Sequence, residues 1–260
     1  MKSGKELSLA KDAAVKAGEL IVRQFMERRI VNYKSKSKVD FVTNVDNNSE
    51  KLITSMIKTE FPEHGIMAEE GTESEGNKNV WIIDPLDGTT NFMHGYPFFC
   101  VSIALTRGNK QMLGVVYDPV RKEMFHAIAD DGSYLNGKKI KVSSIRELKG
   151  SLLITGFYYD RSELMRKTLE KMGEFLSRDV HGIRRDGSAA MDMCYVACGR
   201  ADGYWEYVLS PWDFAAASLI AKEAGARVTK TDGGKIEMKR NGILAANEEL
   251  HKKMLEILRI

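Results

Sequence analysis

The length, composition and charge of the chain exclude several classes of protein. At 260 residues, with 43% hydrophobic and 29% charged residues, it can bury a sizeable core, and neither the disordered nor the membrane class fits. The formal charge of +3 is too small to predict binding to nucleic acid, and the apolar runs are too short to cross a bilayer. Because the first twenty residues also lack the apolar core of a secretory signal, we expect a cytoplasmic protein without membrane contact.

The first sixty residues predict two helices joined by a loop. Apolar residues recur at helical spacing over residues 7–25, which predicts an amphipathic helix. Residues 32–40 are basic and rich in serine, so this segment is expected to be an exposed loop. Thr43 and Asp46 have the spacing of a capping box, which predicts that a second helix begins there and ends before Pro62.

The rest of the chain predicts a strand meander followed by alternating helices and strands. Asp131-Gly132 and Asn136-Gly137 are typical hairpin turns within the meander. Apolar runs predict strands at 66–68, 80–83, 98–106, 112–117, 124–129, 152–155, 204–207 and 243–246. Helices are expected at 162–176, from Ser188, at 213–224 and at the C-terminus. Together these elements predict a layered α/β chain of two closely packed subdomains, residues 1–143 and 144–260, with a seam at 144–150.

The side chains suited to metal binding are carboxylates rather than cysteines or histidines. Cys100, Cys194 and Cys198 lack the spacing of a zinc site and are expected to be reduced packing thiols, and the five histidines are scattered. Four acidic features stand near the ends of predicted elements: Asp46, the pair Glu69 and Glu70, the pair Asp84 and Asp87, and Asp213. Taken singly, each fits a helix N-terminus, a turn or a solvated strand exit. Together they fit a cation site better, since open α/β sheets place ligands at the C-terminal ends of strands.

The motif VWIIDPLDGTTNF at residues 80–92 carries two of these acids. An apolar strand leads to Asp84, and Pro85 is expected to bend the chain so that Asp84 and Asp87 converge. The Leu86 carbonyl lies between them. Two carboxylates and a carbonyl form an oxygen-only set suited to Mg²⁺, which keeps several waters and meets substrate phosphate in its remaining positions.

Gly88 and Thr89 follow these acids and predict phosphate binding. Glycine permits close approach, and successive amides at the start of a helical turn can receive an anion. If Asp46 reaches Thr89, the threonine hydroxyl would be polarised and could orient a water molecule. Otherwise Thr89 and Thr90 are simple helix caps.

With these residues in hand, the chain resembles the inositol monophosphatase family of lithium-sensitive, magnesium-dependent sugar phosphatases over nearly its whole length. The resemblance lies in WIIDPLDGTTNF at 81–92 and PWDFAAASLIAKEAGARVT at 211–229, with Glu69-Glu70-Gly71 and residues 40–46 in the expected order. It implies the α-β-α-β-α sandwich of the inositol monophosphatase and fructose-1,6-bisphosphatase type, and a homodimer. The family often has a lysine five residues before the aspartate that matches Asp40, whereas Ser35 stands here between Lys34 and Lys36.

The resemblance also implies the roles of the site residues. Glu69, Asp84 and the Leu86 carbonyl would hold one Mg²⁺, and Asp84, Asp87 and Asp213 a second, with a weaker third near Glu69. A metal-activated water, oriented by Thr89 and Asp46, would attack the phosphate directly, while the Gly88 and Thr89 amides receive it. The implied contacts to the alcohol are Asp87, Gly187, Ser188, Ala189, Glu206 and Asp213.

The sequence is compatible with several phosphate esters as the substrate. Glu206 favours inositol 1-phosphate or a similar monoester, since the inositol phosphatases carry a glutamate there. Arg184 and Arg185 would bind the second phosphate of fructose 1,6-bisphosphate, or else lie at the surface or at a dimer interface. Further alternatives are a 3′-phosphoadenosine 5′-phosphate phosphatase and a non-catalytic partner of the transcription machinery, a role that some bacterial relatives have.

Overall fold

The computed structural model describes residues 3–28, 38–157 and 163–259, so Lys34, Ser35 and Lys36 lie outside the described residues. The helices are α1 (Ser3–Arg28), α2 (Lys38–Glu60), α3 (Thr89–His94), α4 (Glu163–Leu176), α5 (Ala189–Ala197), α6 (Pro211–Glu223) and α7 (Glu248–Leu258). The strands are β1 (Gly65–Ala68), β2 (Glu73–Ser74), β3 (Asn79–Asp87), β4 (Cys100–Arg107), β5 (Lys110–Asp118), β6 (Glu123–Ile128), β7 (Gly132–Leu135), β8 (Lys138–Lys139), β9 (Leu152–Thr155), β10 (Gly182–Arg184), β11 (Gly203–Leu209), β12 (Arg227–Thr229) and β13 (Asn241–Ala246).

The strands form two sheets. The first has the order β2-β1-β3-β4-β5-β6-β7-β8, in which only the β1 and β3 pair is parallel, and the second has the order β10-β9-β11-β13-β12. The predicted hairpin turn at Asn136-Gly137 is confirmed, because both residues have positive φ angles, 48° and 77°, between β7 and β8.

The helices cover both sheets in three layers. Helices α1 and α2 pack on the outer face of the first sheet, α5 and α6 lie between the sheets, and α4 and α7 cover the second sheet. The predicted α-β-α-β-α sandwich is confirmed. The central core includes Ile82 and Val116 of the first sheet and Ile154 and Ile243 of the second, so apolar packing is continuous across the middle of the molecule. No helix in the described ranges is long and apolar enough to cross a membrane.

The prediction of a capping box at Thr43 is wrong. Helix α2 begins at Lys38, so Thr43 lies inside the helix, and the last residues of the predicted loop are helical. Val39, Val42 and Val45 are spaced three residues apart, so the apolar pattern of the helix begins before Thr43 and continues after it. The sequence patterns also miss β2, β10 and β12, because elements of two or three residues are too short to show a period, whereas α3 begins where a helical turn was predicted.

Candidate active site

The parallel pairing of β1 and β3 brings two predicted acids to one edge of the sheet. Ala68 lies opposite Ile83, so Glu69 and Asp84 are the next residues along their strands. The Glu69 backbone amide donates to the Ile83 carbonyl at 3.2 Å, which fixes the exit of β1 against β3. The Glu69 and Asp84 carboxyl groups interact at this edge, so a shared proton or a cation in its place would relieve their repulsion.

A bulge at Pro85 turns Asp87 toward the neighbouring layer. The register of β3 against β4 shifts between Asp84, which pairs with Ser102, and Asp87, which pairs with Cys100. Three steps along β3 therefore match two along β4, and the predicted bend at Pro85 is confirmed as a β-bulge. The Asp84 Oδ1 atom accepts a hydrogen bond from the Leu86 amide at 3.0 Å, which stabilises the turn.

The second half of the chain supplies the groups that orient Asp87. Its Oδ2 atom accepts hydrogen bonds from the Ser188 hydroxyl and the Ala190 amide, both at 2.7 Å. These donors stand at the N-terminus of α5, where Ser188 is the cap residue. Asp213 is held similarly in the first turn of α6, since its Oδ2 atom accepts from the Ser210 amide at 2.7 Å. One oxygen of each carboxylate is thus anchored to the protein.

These residues line a single cavity of about 310 Å³ between the two sheets. The structure brings together all the predicted site residues except Asp46 and Arg184. Those that line the cavity are Glu69, Asp84, Leu86, Asp87, Gly88, Thr89, Arg185, Gly187, Ser188, Ala189, Glu206 and Asp213. Arg184 instead lies exposed on β10, where its guanidinium donates to the carbonyl of Ile183.

The cavity concentrates negative charge. Burial, followed by the charges of Glu69, Asp87 and Asp213, raises the pKa of Asp84 well above its usual value, and Asp84 is only 1% exposed. Burial and then Asp87 likewise raise the pKa of Asp213. Glu69 is exposed at the cavity mouth, yet its carboxyl group faces Asp84, and local desolvation raises its pKa to about 7. The site therefore favours protons or a cation.

The donor set fits Mg²⁺, although it is not a closed cage of side chains. In the described part of the chain, no three histidine, cysteine, aspartate or glutamate side chains stand ready to hold a metal ion. Asp87 and Asp213 both line the cavity, and each has one oxygen bonded to a protein donor, which leaves the other oxygen available to a cation. Mg²⁺ takes few carboxylates, keeps several waters and completes its shell with substrate oxygens, so an open set of oxygen donors suits it.

We expect Mg²⁺ to stabilise the protein more at alkaline than at neutral pH. A carboxyl group with a raised folded pKa stabilises the fold below its unfolded pKa of about 4, and this contribution is lost as the pH rises through the folded value. The folded pKa is about 7 for Glu69 and about 8 for Asp46. The unfolding temperature of the metal-free protein should therefore fall between pH values of about 6.5 and about 8.5, above the range in which His126 and His251 titrate.

Scanning calorimetry with and without Mg²⁺ over this pH range tests that expectation. Mg²⁺ should remove most of the fall, because the cation replaces the protons that neutralise the carboxylates. An unfolding temperature that is independent of pH, or a Mg²⁺ effect that shrinks as the pH rises, would contradict it.

Asp46 and Thr89 occupy different surroundings. The Thr89 hydroxyl lies in the cavity and donates to the Leu86 carbonyl at 3.0 Å. Asp46 lies on α2, is 4% exposed, and its Oδ1 atom has no hydrogen-bond partner within the described residues. Burial, then the charges of Glu70, Glu69 and Glu50, raise its pKa to about 8. The structure thus records no hydrogen bond between Asp46 and Thr89, and their pairing stays a prediction.

Glu206 is a further acid that lines the cavity. It is buried on β11, where its Oε2 atom accepts a hydrogen bond from the Tyr204 hydroxyl at 2.8 Å. Burial raises its pKa to about 7, against the lowering effects of Tyr204 and Arg185. Gly156 makes room for this side chain, because a Cβ atom at that position would lie 1.8 Å from Glu206 Oε2.

Sequence reasoning misses several residues that line the cavity. Asp192 is 1% exposed, and its Oδ1 atom has no hydrogen-bond partner within the described ranges. It lies four residues after Ser188, so the helical period of α5 could have indicated it. Gly156 directly follows the predicted strand at 152–155, a position where a glycine suggests close approach. Trp212 and Arg240 are two further lining residues, and no pattern points to Arg240.

Comparison with known proteins places this site in a family. The inositol monophosphatase family model matches residues 5–260. The chain belongs to the inositol monophosphatase family. Nus factor SuhB from Haemophilus influenzae is 43% identical to this family member over 255 residues, which cover 97% of this chain and 95% of that protein.

Solved structures of the inositol monophosphatase family share the fold. The inositol monophosphatase from Anabaena (Nostoc) is 38% identical, with a TM-score of 0.88 and coverage of 99% of this chain and 96% of that chain. The extragenic suppressor protein suhB from Bartonella henselae is 37% identical, with a TM-score of 0.90 and coverage of 98% of both chains. The likeness spans both sheets, so family membership concerns the whole described fold.

Proposed function

We propose that this inositol monophosphatase family member is a Mg²⁺-dependent phosphomonoesterase that hydrolyses inositol 1-phosphate or a similar polyol phosphate. The observation that carries the proposal is the convergence of Glu69, Asp84, Asp87 and Asp213 on one cavity, at the N-terminus of α3. Four acids in one cavity favour cation binding, and a cation beside backbone amides suits a phosphate ester.

Different residues of the cavity would bind the metal ions, bind the phosphate and orient the attacking water. Glu69, Asp84, Asp87, Asp213 and the Leu86 carbonyl would hold the metal ions. Bound Mg²⁺ would neutralise charge on the phosphoryl group and lower the pKa of a coordinated water. The amides of Gly88 and Thr89 would donate to the phosphate oxygens. The Thr89 hydroxyl, which donates to the Leu86 carbonyl, keeps lone pairs that can accept a hydrogen bond from the attacking water.

Glu206, which lines the cavity, would bind the alcohol part of the substrate. The Glu206 carboxylate can accept hydrogen bonds from two neighbouring hydroxyl groups of a polyol. The Ser188 hydroxyl is already used to hold Asp87, so we assign it mainly to orienting that ligand. Only Arg185 of the arginine pair lines the cavity, which favours a monoester over a bisphosphate that needs both arginines.

A substrate panel tests the proposed function. Phosphate release from inositol 1-phosphate, fructose 1,6-bisphosphate and 3′-phosphoadenosine 5′-phosphate would be measured with Mg²⁺ and with a chelator. We expect Mg²⁺-dependent release that is fastest with inositol 1-phosphate. Absence of release from every ester with Mg²⁺ present would reject the proposed activity, and a preference for the bisphosphate would reject the proposed substrate class.

Gly156→Ala should weaken polyol binding. The added Cβ atom would overlap the Glu206 carboxylate, so Glu206 must leave its position beside Tyr204. Loss of one hydrogen bond to a charged group corresponds to a rise in KM for inositol 1-phosphate of about tenfold or more. Gly173→Ala is the matched control, because a Cβ atom at this position on α4 meets nothing within 4 Å. Equal KM values for the two variants would contradict the assignment of Glu206.

The names of the relatives favour a second candidate function. Curated relatives that are 40–45% identical carry the name Nus factor SuhB. We propose as the second candidate that this chain also binds the transcription machinery, a role independent of catalysis. Size-exclusion chromatography of the chain with purified RNA polymerase from its host tests this role. Separate elution of the two proteins would reject it, and co-elution of Asp87→Asn would show that the role does not need the active site.

A further inference from the structure

Glu50 on α2 is buried beside the loop that carries Glu69, and the proposed function gives it no role. Its side chain is 3% exposed and lies one helical turn after Asp46. Its Oε2 atom accepts a hydrogen bond from the Glu70 amide at 2.8 Å. Its Oε1 atom accepts from the Thr72 amide at 3.1 Å and from the Thr72 hydroxyl at 2.5 Å. One carboxylate thus binds both ends of a short loop.

The loop from Glu69 to Thr72 is tight enough for this anchor to set its position. The Ala68 amide donates to the Thr72 carbonyl at 3.1 Å, and the Gly71 amide donates to the Ala68 carbonyl at 3.3 Å. Gly71 has a φ of 102°, a conformation that other residues rarely adopt. With the turn closed in this way, Glu50 anchors the loop to α2 and the Ile83 carbonyl anchors it to β3.

The same turn of α2 also reaches the second acidic segment. The Ser49 hydroxyl, which is buried, donates to the Pro85 carbonyl at 3.2 Å. Adjacent residues of one helix therefore hold the segment that carries Glu69 and the bulge that carries Asp84 and Asp87. Because a helix is a rigid element, α2 fixes the separation of the two segments.

The charged carboxylate of Glu50 is a strong acceptor for its three donors in the loop. It also adds negative charge near the carboxylate cluster. The charge of Glu50 is among the causes, after burial, that raise the pKa of Asp46 and Glu70. If Glu50 served stability alone, its repulsion of the neighbouring carboxylates would destabilise the fold without any compensating effect. A cation bound between the two segments would remove it.

We propose that Glu50 is a positioning residue for the Mg²⁺ site, because it holds the Glu69 to Thr72 loop so that Glu69 faces Asp84. This inference rests on the proposed function, since it assigns Glu69 to cation binding. Groups that orient metal ligands typically change metal affinity by about 10- to 100-fold when they are removed.

The test is the dependence of the unfolding temperature of the full chain on Mg²⁺ concentration, because the Mg²⁺ concentration needed for a given rise scales with the dissociation constant. Glu50→Gln removes the charge and one acceptor oxygen, whereas Thr72→Val removes one hydrogen bond and keeps the charge. We expect both variants to need about tenfold more Mg²⁺ than the wild type. Glu60→Gln and Thr59→Val are matched controls at the far end of α2, where both residues are exposed and Thr59 donates to the Ser55 carbonyl, and they should behave as wild type.

The outcomes separate this inference from the proposed function. Wild-type Mg²⁺ dependence in both Glu50→Gln and Thr72→Val would overturn the positioning role. An effect in Glu50→Gln alone would overturn it as well, since charge and not loop position would then be the cause. If Glu50→Gln fails to fold, Thr72→Val decides. If the wild type itself shows no response to Mg²⁺, the proposed function fails and this inference fails with it.

Discussion

Asp87→Asn should reduce phosphate release from inositol 1-phosphate by about 10³-fold, comparable to the loss of a main electrostatic contact in an active site. The substitution keeps the volume of the side chain and leaves an oxygen to accept from Ser188 and the Ala190 amide. It removes the negative charge and turns one cation-binding oxygen into an amide nitrogen. Steady-state kinetics at saturating Mg²⁺ would measure the effect on kcat.

The fold of Asp87→Asn should be retained. Removal of one charge from a cluster whose members raise each other's pKa should leave the metal-free protein as stable as the wild type, or more so. Asp12→Asn on the exposed face of α1 is the matched control and should keep full activity. Normal turnover by a folded Asp87→Asn protein would remove Asp87 from the metal site and undermine the proposed chemistry.

Gly88→Ala should reduce both activity and stability. Gly88 precedes α3 with a φ of 100°, and a Cβ atom there would lie 2.9 Å from the Phe98 carbonyl oxygen and 3.1 Å from the Phe99 Cβ atom. Backbone strain and the clash together correspond to a loss of about 3 kcal/mol in the free energy of unfolding. A displaced Gly88 amide would also miss the phosphate, so kcat should fall by about 100-fold.

Gly95→Ala separates the two causes of that effect. Gly95 ends α3 with a φ of 73°, and a Cβ atom there meets nothing within 4 Å. This variant carries the cost of the left-handed backbone alone, about 1 kcal/mol, and lies away from the cavity. Urea denaturation of both variants measures the difference. If Gly88→Ala were no less stable than Gly95→Ala, close packing at Gly88 would not be the constraint.

The sequence predicts much of this site because local pattern and topology agree there. The apolar strand before Asp84, the bend at Pro85 and the parallel strand before Glu69 are visible in short stretches of sequence, and the structure has all three. Asp213 is different. It joins the cluster from α6 in the other half of the molecule, a long-range contact that no short stretch of sequence shows.

Two residues missed by sequence analysis, Gly156 and Glu50, act through contacts with partners that are distant in the sequence. Gly156 matters because Glu206, fifty residues later, fills the space beside it. Glu50 matters because its carboxylate meets a loop that follows twenty residues later. The incorrect start of α2 has a simpler reason, since a local capping signal at Thr43 competed with an apolar period that continues through it.

We propose that Asp84, Asp87 and Asp213 form a divalent cation site at the end of β3. The most direct test is a titration with Mn²⁺, a paramagnetic probe of Mg²⁺ sites, in which free Mn²⁺ is followed by electron paramagnetic resonance. We expect saturable binding of about two ions per chain, competition by Mg²⁺ and loss of at least one ion in Asp87→Asn. Absence of saturable binding, or identical binding by the wild type and Asp87→Asn, would contradict it.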